Sequence, residues 1–192
     1  MISVISPYEN KCNMLRYLDI SKIYEKEFNP GFPYFSYPHK CIIMTNDDDE
    51  IVAFTFWEVK YILQNNNSAD NIEIVPTPFE MAYLYDDGNA LTPTTIHILT
   101  LYVNDAVRRR GYATKMLDYI GNLYDNKLNM LLSVSTANDP AMTLYTKYGF
   151  VKTIYKANYY TDRGISYYTG EGCNAYEMFK RVQQVERLSN EC

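Results

Sequence analysis

Residues 95–117 read TIHILTLYVNDAVRRRGYATKML, and this stretch decides the fold. It opens with apolar and β-branched residues, a pattern typical of a buried strand. Three arginines and Gly111 follow, and then an apolar face at helical spacing. That face comprises Ala113, Met116, Leu117 and Ile120. The order strand, basic turn, glycine and helix predicts an α/β unit with a functional turn at the helix N-terminus.

The basic turn has the composition of an anion site. The first N–H groups of a helix have no intrahelical partner, and the helix dipole favours negative charge there. Gly111 lets the backbone approach a bulky anion, and arginines add charge-assisted hydrogen bonds. A pyrophosphate is the expected ligand, whereas the P-loop and dinucleotide-fold patterns are not matched. The alternative is a solvated basic turn or a nuclear-localisation patch.

Length and composition limit the class of protein. The 192 residues predict a single domain over 1–192, with an insertion at about 64–94 and a short polar tail at 182–192. Apolar content of 47% and charged content of 21% are typical of a soluble globular chain. The net charge of −5 argues against nucleic-acid binding. The four cysteines show no metal-ligand spacing, so we expect no metal and free thiols in the cytoplasm. No apolar stretch is long enough to span a bilayer, and residues 181–192 are too short and polar for an amphipathic anchor, so we expect no stable membrane association.

Periodicity predicts a mixed α/β sheet of about seven strands flanked by about four helices. We expect helices from Asp19 as N-cap to just before Pro30, over 112–124, and over 138–148. Residues 1–11 are either an extra strand or a loose arm. The insertion at 64–94 is interpreted as a flap or hairpin beside the site. Besides the strand that opens residues 95–117, strand patterns occupy 12–18, 40–45, 51–63, 129–136, 150–156 and 175–181, with 79–85 as a further short candidate.

Two motifs together resemble a known superfamily. Arg108-x-x-Gly111-x-Ala113 after an apolar strand resembles the acyl-CoA signature of the GCN5-related N-acetyltransferases (GNAT). Asn138-x-x-Ala141-x-x-x-Tyr145-x-x-x-Gly149-Phe150 is similar to their second signature. The resemblance implies the GNAT fold, acetyl-CoA as cofactor and an N-acetyltransferase activity.

Within that superfamily the sequence most resembles catalytic subunits that acetylate protein N-termini, of the Golgi-associated and Met-hydrophobic types. The likeness rests on Phe32-Pro33 and Tyr37, on the strand at 96–101, and on Asn158-Tyr159-Tyr160. It implies transfer of an acetyl group to the α-amine of protein N-termini, with Met-hydrophobic or Met-amphipathic termini preferred. An auxiliary subunit is left open.

The resemblance also implies roles for individual residues. Tyr145 is expected near the thioester sulfur, as acid or as hydrogen-bond donor, and also in cofactor binding. The remaining cofactor-binding residues are Leu101, Tyr102, Val103, Arg108, Arg109, Arg110, Gly111, Tyr112, Ala113, Thr114 and Asn138. The peptide groove is formed by Phe32, Pro33, Tyr34, Tyr37, Tyr159 and Tyr160. From the residues alone, the aromatic loop at 32–38 is either a packed surface loop or one wall of a substrate pocket.

Two positions depart from the relatives. His97 stands where they carry a tyrosine, and Ser133 stands where they carry a histidine. Because an imidazole titrates near neutral pH, we expect the base to have moved to His97, acting through a water. The alternative is a core histidine with a structural role. Glu58, near a strand end, is either solvated or at a position suited to a base.

Two other functions stay open. One is a GNAT enzyme that acetylates a small amine or a lysine side chain. The other is a catalytically inactive CoA-binding module, which the altered base pair would explain.

Overall fold

The computed structural model describes residues 1–5, 11–28, 40–64, 71–74, 90–161 and 173–182. Within these ranges the chain forms eight β-strands, three α-helices and a short 3-10 helix at Asp105–Val107. The elements are β1 (Ile2–Ile5), α1 (Lys11–Phe28), β2 (Lys40–Thr45), β3 (Ile51–Gln64), β4 (Asn71–Ile74), β5 (Ala90–Val103), α2 (Tyr112–Leu123), β6 (Asn129–Ser135), α3 (Asp139–Tyr148), β7 (Val151–Lys156) and β8 (Ala175–Lys180). The predicted mixed α/β class is confirmed.

All eight strands belong to one sheet, in the order β1-β2-β3-β5-β6-β8-β7, with β4 paired to the end of β3. Every pairing is antiparallel except that of β5 with β6, which is parallel. A parallel pair needs a crossover connection, and α2 supplies it. The sheet is therefore an antiparallel half and a second antiparallel half joined by one parallel seam.

Strand β3 carries apolar residues on both faces, and each face is covered by a layer of helix. Phe54 and Phe56 face α1, where they pack in a cluster with Ile20 and Tyr24. Trp57 faces the opposite layer. That layer also contains Met116, Leu117 and Ile120 of α2 and Tyr145 of α3. The apolar residues that alternate along 51–63 predict a central strand covered by helices on at least one face, and both faces are buried.

The prediction for the N-terminal region was wrong. Residues 12–18, expected as a strand, belong to α1, and the expected N-cap Asp19 lies inside that helix. Asp19 is paired instead with Lys22, three residues on, at 3.1 Å. A short apolar run fits a strand or a helix equally well, so its periodicity cannot decide between them. The ambiguous residues 1–11 contribute a strand, Ile2–Ile5.

Part of the predicted insertion at 64–94 extends the sheet. Strand β4 pairs with residues 61–64 at the end of β3, and β5 begins at Ala90. The expected short strand at 79–85 lies outside the described residues. No helix in the described ranges is long and apolar enough to cross a membrane.

Candidate active site

Strands β5 and β6 separate part-way along their length. Their parallel pairing covers four residue pairs, from Thr95 with Asn129 to Ile98 with Leu132. Strand β5 nevertheless continues to Val103 along β3, and β6 continues to Ser135 along β8. A gap therefore opens between the two strands directly after Ile98, in the middle of the sheet.

A β-bulge lies where the pairing ends. On β3, Phe56 pairs with Thr100 and the next residue, Trp57, pairs with Ile98, so Leu99 is an extra residue in β5. A bulge bends its strand and increases the local twist. The bend coincides with the start of the gap between β5 and β6.

His97 and Glu58 lie opposite each other on β5 and β3. His97 Nδ1 lies 2.8 Å from Glu58 Oε1, and the two side chains are 19% and 21% exposed respectively. The predicted base therefore has a carboxylate partner. Sequence reasoning considered both residues separately and missed the pair, because the bulges that set their register leave no clear trace in the sequence.

Ser133 lies on the same face of the sheet as His97. Leu131 pairs with His97 across the parallel seam, and Ser133 follows two residues later on β6. Residues two apart on a strand share a face. The structure thus brings the two unusual residues, His97 and Ser133, to the same face of the sheet, on the two strands that border the gap.

Tyr145 lies in the opposite layer. It is 8% exposed, and its ring packs edge-on against Phe150 with 5.7 Å between ring centroids. The helix that carries it begins at Asn138, whose side chain accepts a hydrogen bond from the Ala141 N–H at 3.1 Å. Gly149, with φ of 99°, ends it. The start and end of this helix are as predicted, and the three predicted catalytic residues lie on the two sides of the sheet.

The N-terminus of α2 is open to a ligand. Gly111 is its N-cap with φ of 81°, a left-handed conformation that favours glycine, and no side chain caps the helix. The first helical bond runs from Lys115 N to Gly111 O, so the N–H groups of Tyr112, Ala113 and Thr114 have no intrahelical acceptor. A Cβ added at Gly111 would meet no atom within 4 Å. This geometry suits a phosphate or pyrophosphate group.

The three arginines before Gly111 are not equivalent. Arg108 bonds to the Val103 carbonyl through Nε at 3.2 Å and forms an ion pair with Asp105 at 2.5 Å. Within the described part of the chain, the exposed side chains of Arg109 and Arg110 form no ion pair. Arg108 therefore shapes the turn, and the next two arginines remain available to an anion.

The gap is lined by the main chain of Leu101, Tyr102 and Val103. The Tyr102 ring stacks on Phe54 at 5.0 Å in the α1 layer and is 7% exposed. Burial raises the pKa of Tyr102, with smaller contributions from Glu27 and Asp105, so its phenol stays neutral. Residues 101–103 pair with β3 and not with β6, so their main chain on the side facing β6 is open to a ligand in the gap.

The turn after β7 presents the two predicted groove tyrosines. Tyr159 and Tyr160 are half-buried and stack edge-on, with ring centroids 5.1 Å apart. Tyr160 N donates to the Cys173 carbonyl at 3.0 Å, and Asn158 N donates to Asn174 Oδ1 at 2.9 Å. These two hydrogen bonds connect the turn to the residues directly before β8. The other predicted groove residues, Phe32, Pro33, Tyr34 and Tyr37, lie outside the described residues.

This geometry can be compared with known proteins. The sequence profile of the Acetyltransferase (GNAT) family matches residues 10–150. The chain belongs to this family. It is an acetyltransferase that uses acetyl-CoA, as the two sequence signatures predicted. No sequence among the curated proteins matches it.

Solved structures of protein N-terminal acetyltransferases share the fold of this GNAT enzyme. Naa20 of Chaetomium thermophilum, solved with a bisubstrate analogue, has a TM-score of 0.60 at 15% identity, over 95% of this chain and 86% of that one. Arabidopsis thaliana Naa50, solved with CoA-Ac-MVNAL, has a TM-score of 0.57 at 18% identity, over 94% and 98%. Arabidopsis thaliana NAA60, solved with acetyl-CoA, has a TM-score of 0.59 at 15% identity, over 93% and 97%. At these identities the likeness establishes the fold.

The residues of this acetyltransferase fit acetyl-CoA. The cofactor needs a site for its pyrophosphate and a slot for its narrow pantetheine arm. The open α2 N-terminus with two available arginines suits the first, and the gap between β5 and β6 suits the second.

Proposed function

We propose that this acetyltransferase transfers the acetyl group of acetyl-CoA to the α-amine of protein N-termini. Met-hydrophobic or Met-amphipathic termini are its preferred substrates. The observation that carries the proposal is the position of His97. It belongs to the next-to-last pair of the parallel seam, so a group that accepts protons lies where the sheet opens.

The cofactor is assigned to the gap and the α2 N-terminus. Arg109, Arg110 and the free N–H groups after Gly111 hold the pyrophosphate, while Arg108 keeps the turn in shape. The main chain of residues 101–103 binds the pantetheine arm, and Asn138 contacts it from the start of α3. Bound in this way, acetyl-CoA supplies a thioester carbonyl at the narrow end of the gap.

His97, Ser133 and Tyr145 perform the proton transfers. His97 accepts a proton from the substrate ammonium or amine through a water, with Ser133 on the same face as a polar partner for that water. The α-amine has a pKa near 8, so a moderate base suffices. Tyr145 donates to the sulfur from the other layer. Positioning of both reactants supplies up to about 7–11 kcal/mol of the barrier reduction in favourable cases.

The peptide is assigned to the side of the sheet that carries α1. Tyr159 and Tyr160 are assigned to one wall of the groove; the other predicted groove residues, Phe32, Pro33, Tyr34 and Tyr37, lie outside the described residues. The Arabidopsis Naa50 structure with CoA-Ac-MVNAL supports a peptide acceptor, because a similar fold holds a cofactor joined to a peptide there. We assign the enzyme to the cytoplasm, with no nucleic-acid or stable membrane partner; an auxiliary subunit is left open.

One observation favours a second candidate function. Glu58 places a carboxylate beside His97, and an acidic group there attracts any cationic amine. Acetylation of a small amine or of a lysine side chain is therefore the alternative substrate class.

A panel of acceptors tests the proposal. Thiol release from acetyl-CoA is measured with short peptides that carry different free N-termini, with the same peptides blocked at the α-amine, with polyamines and with α-blocked lysine peptides. Turnover on Met-hydrophobic termini that disappears on blocking supports the proposal. Turnover confined to polyamines or lysines assigns the alternative. Tight acetyl-CoA binding without turnover on any acceptor identifies an inactive module and overturns both.

A further inference from the structure

We propose that Glu58 is a positioning residue that holds His97 as the Nδ1–H tautomer. This leaves the lone pair on Nε2 as the site that takes the proton. The inference rests on the proposed function for the step in which His97 acts as base, and it adds a residue, Glu58, for which no role was predicted from the two family signatures.

The contact between the two side chains is well defined. His97 Nδ1 and Glu58 Oε1 are 2.8 Å apart, a normal hydrogen-bond distance. Both side chains are about four-fifths buried, with 19% and 21% exposed, so water competes weakly for the bond. An exposed ion pair lacks this protection from water.

The backbone fixes which residues meet. Glu58 and His97 are direct partners in the antiparallel ladder of β3 and β5. A register shift lies on each side of the pair, one between Phe56 and Trp57 and one between Lys60 and Tyr61. Bulges are localised features that set strand register and aim side chains. The two shifts enclose residues 57–60 and so fix the register in which Glu58 meets His97.

The chemistry of the carboxylate sets the tautomer. An ionised carboxylate only accepts hydrogen bonds, so Nδ1 must carry the hydrogen whenever the bond is formed. In neutral imidazole Nε2 then carries the lone pair. The substrate amine loses a proton through a water to Nε2, and the C–N bond forms as the C–S bond breaks. The sulfur leaves as thiol with the proton of the Tyr145 hydroxyl, and the proton held by His97 returns to Tyr145 through solvent. The positive charge that His97 gains is adjacent to Glu58.

NMR and kinetics on matched variants test the inference. The chain has two histidines, His39 and His97, so a long-range ¹H–¹⁵N spectrum of the full protein assigns His97 by comparison with His97→Ala. The variants are Glu58→Ala and Glu58→Gln. The control is Lys60→Gln, which removes a charge two residues along the same face of β3, opposite Thr95.

The expected spectrum of the wild-type protein shows His97 as the Nδ1–H tautomer. In Glu58→Ala the Nε2–H form appears. On the best acceptor from the panel, kcat falls about 10- to 100-fold, while acetyl-CoA affinity stays within twofold. Lys60→Gln leaves the tautomer and kcat unchanged. If Glu58→Ala does not fold, Glu58→Gln carries the test, because its amide can donate to Nδ1 as well as accept and so mixes the tautomers.

The two proposals fail in different ways. The role of Glu58 is overturned, whatever the substrate is, if His97 of the wild-type protein is the Nε2–H tautomer. It is also overturned if substitution of Glu58 changes neither the tautomer of His97 nor kcat. Full turnover in His97→Ala, with the tautomer still controlled by Glu58, overturns the proposed base instead. A change of tautomer with no change of kcat also overturns the positioning role.

Discussion

His97 on β5 lies opposite Leu131 on β6, in the third of the four residue pairs that join these strands in parallel. The next pair is the last, so the histidine borders the gap. This relationship puts an imidazole, which can accept a proton, beside the gap to which the proposal assigns acetyl-CoA.

Replacing His97 by alanine is expected to lower kcat/KM by about 10²- to 10⁴-fold, the usual contribution of a general base. The affinity for acetyl-CoA should stay within twofold, because the pyrophosphate site is formed by other residues. Steady-state kinetics and calorimetric titration measure the two quantities. Near-normal turnover with an unchanged pH profile would show that His97 is a structural residue. Ser133→Ala, on the same face, should have a smaller effect, since a hydroxyl is a poor base.

Tyr145→Phe should reduce kcat at least tenfold without weakening acetyl-CoA binding. The substitution removes only the hydroxyl and keeps the ring packed on Phe150 at 5.7 Å. Single-turnover kinetics with saturating cofactor isolates the chemical step. Equal losses of kcat and of acetyl-CoA affinity would assign the hydroxyl to cofactor binding instead.

The double substitution Arg109→Ala and Arg110→Ala should raise the Kd for acetyl-CoA by about tenfold or more, because each charge-assisted bond contributes about 1.5–3 kcal/mol. The loss should shrink at high salt, as expected for exposed charges. Lys127→Ala is a matched control, since Lys127 is an exposed cation beyond the other end of α2. An unchanged Kd would show that the pyrophosphate of acetyl-CoA does not bind at this turn.

Tyr124→Phe should lower the free energy of unfolding by about 1–3 kcal/mol. Trp57 is fully buried and its Nε1–H donates to the Tyr124 hydroxyl at 3.2 Å, so the substitution leaves a buried donor unsatisfied. Trp57 is the single tryptophan of the chain, and its fluorescence follows denaturant unfolding directly. Tyr119→Phe on α2 is the control, with an expected change under about 0.5 kcal/mol, because the hydroxyl of the partly buried Tyr119 forms no hydrogen bond within the described residues. Equal stabilities of the two variants would contradict the prediction.

Cys41 should be inert to alkylation in the native protein. Burial raises the pKa of its thiol well above the ordinary value, and the hydrogen bond with the Thr55 backbone lowers it only partly. In a variant with serine at positions 12, 173 and 192, native-state labelling by iodoacetamide should stay slow between pH 7 and 9. In urea the rate should rise with pH as for a free thiol.

The raised pKa of Cys41 also determines how the free energy of unfolding changes with pH. The unfolded thiol loses its proton above about pH 8.5 while the folded thiol keeps it, so Cys41 makes the folded state less favourable as pH rises. The limiting slope for one such group is about 1.4 kcal/mol per pH unit. Cys41→Ala should flatten the decline in unfolding free energy between pH 8.5 and 9.5. Rapid labelling in the native state would show instead that Cys41 is accessible.

Local chemistry explains where sequence prediction succeeded. Asn138 and Gly149 delimit α3 through a side-chain cap and a left-handed residue, and both act within a few residues of themselves. The alternation at Phe54, Phe56 and Trp57 predicted a strand covered on at least one face, and both of its faces are buried. Such signals survive in one sequence because the residues that produce them are neighbours along the chain.

Features that depend on distant residues were not predictable in the same way. The pairing of Glu58 with His97 needs the register of β3 against β5, and two bulges shift that register. The difference between Arg108 and the next two arginines needs the position of Asp105 in a 3-10 turn. The assignment of residues 12–18 to α1 depends on the helix continuing into the stretch where Ile20 and Tyr24 pack on β3.

The parallel seam also bears on cooperativity. Among the described strands, four residue pairs connect the half of the sheet that ends at β5 with the half that begins at β6. Each half has its own antiparallel ladders, so the two are candidates for separate cooperative units whose amide protons exchange at different rates. A ligand that contacts both halves stabilises the state in which the two halves are joined, because it binds only to that state. Bound acetyl-CoA would thus hold the two halves of the sheet together as well as supply the acetyl group.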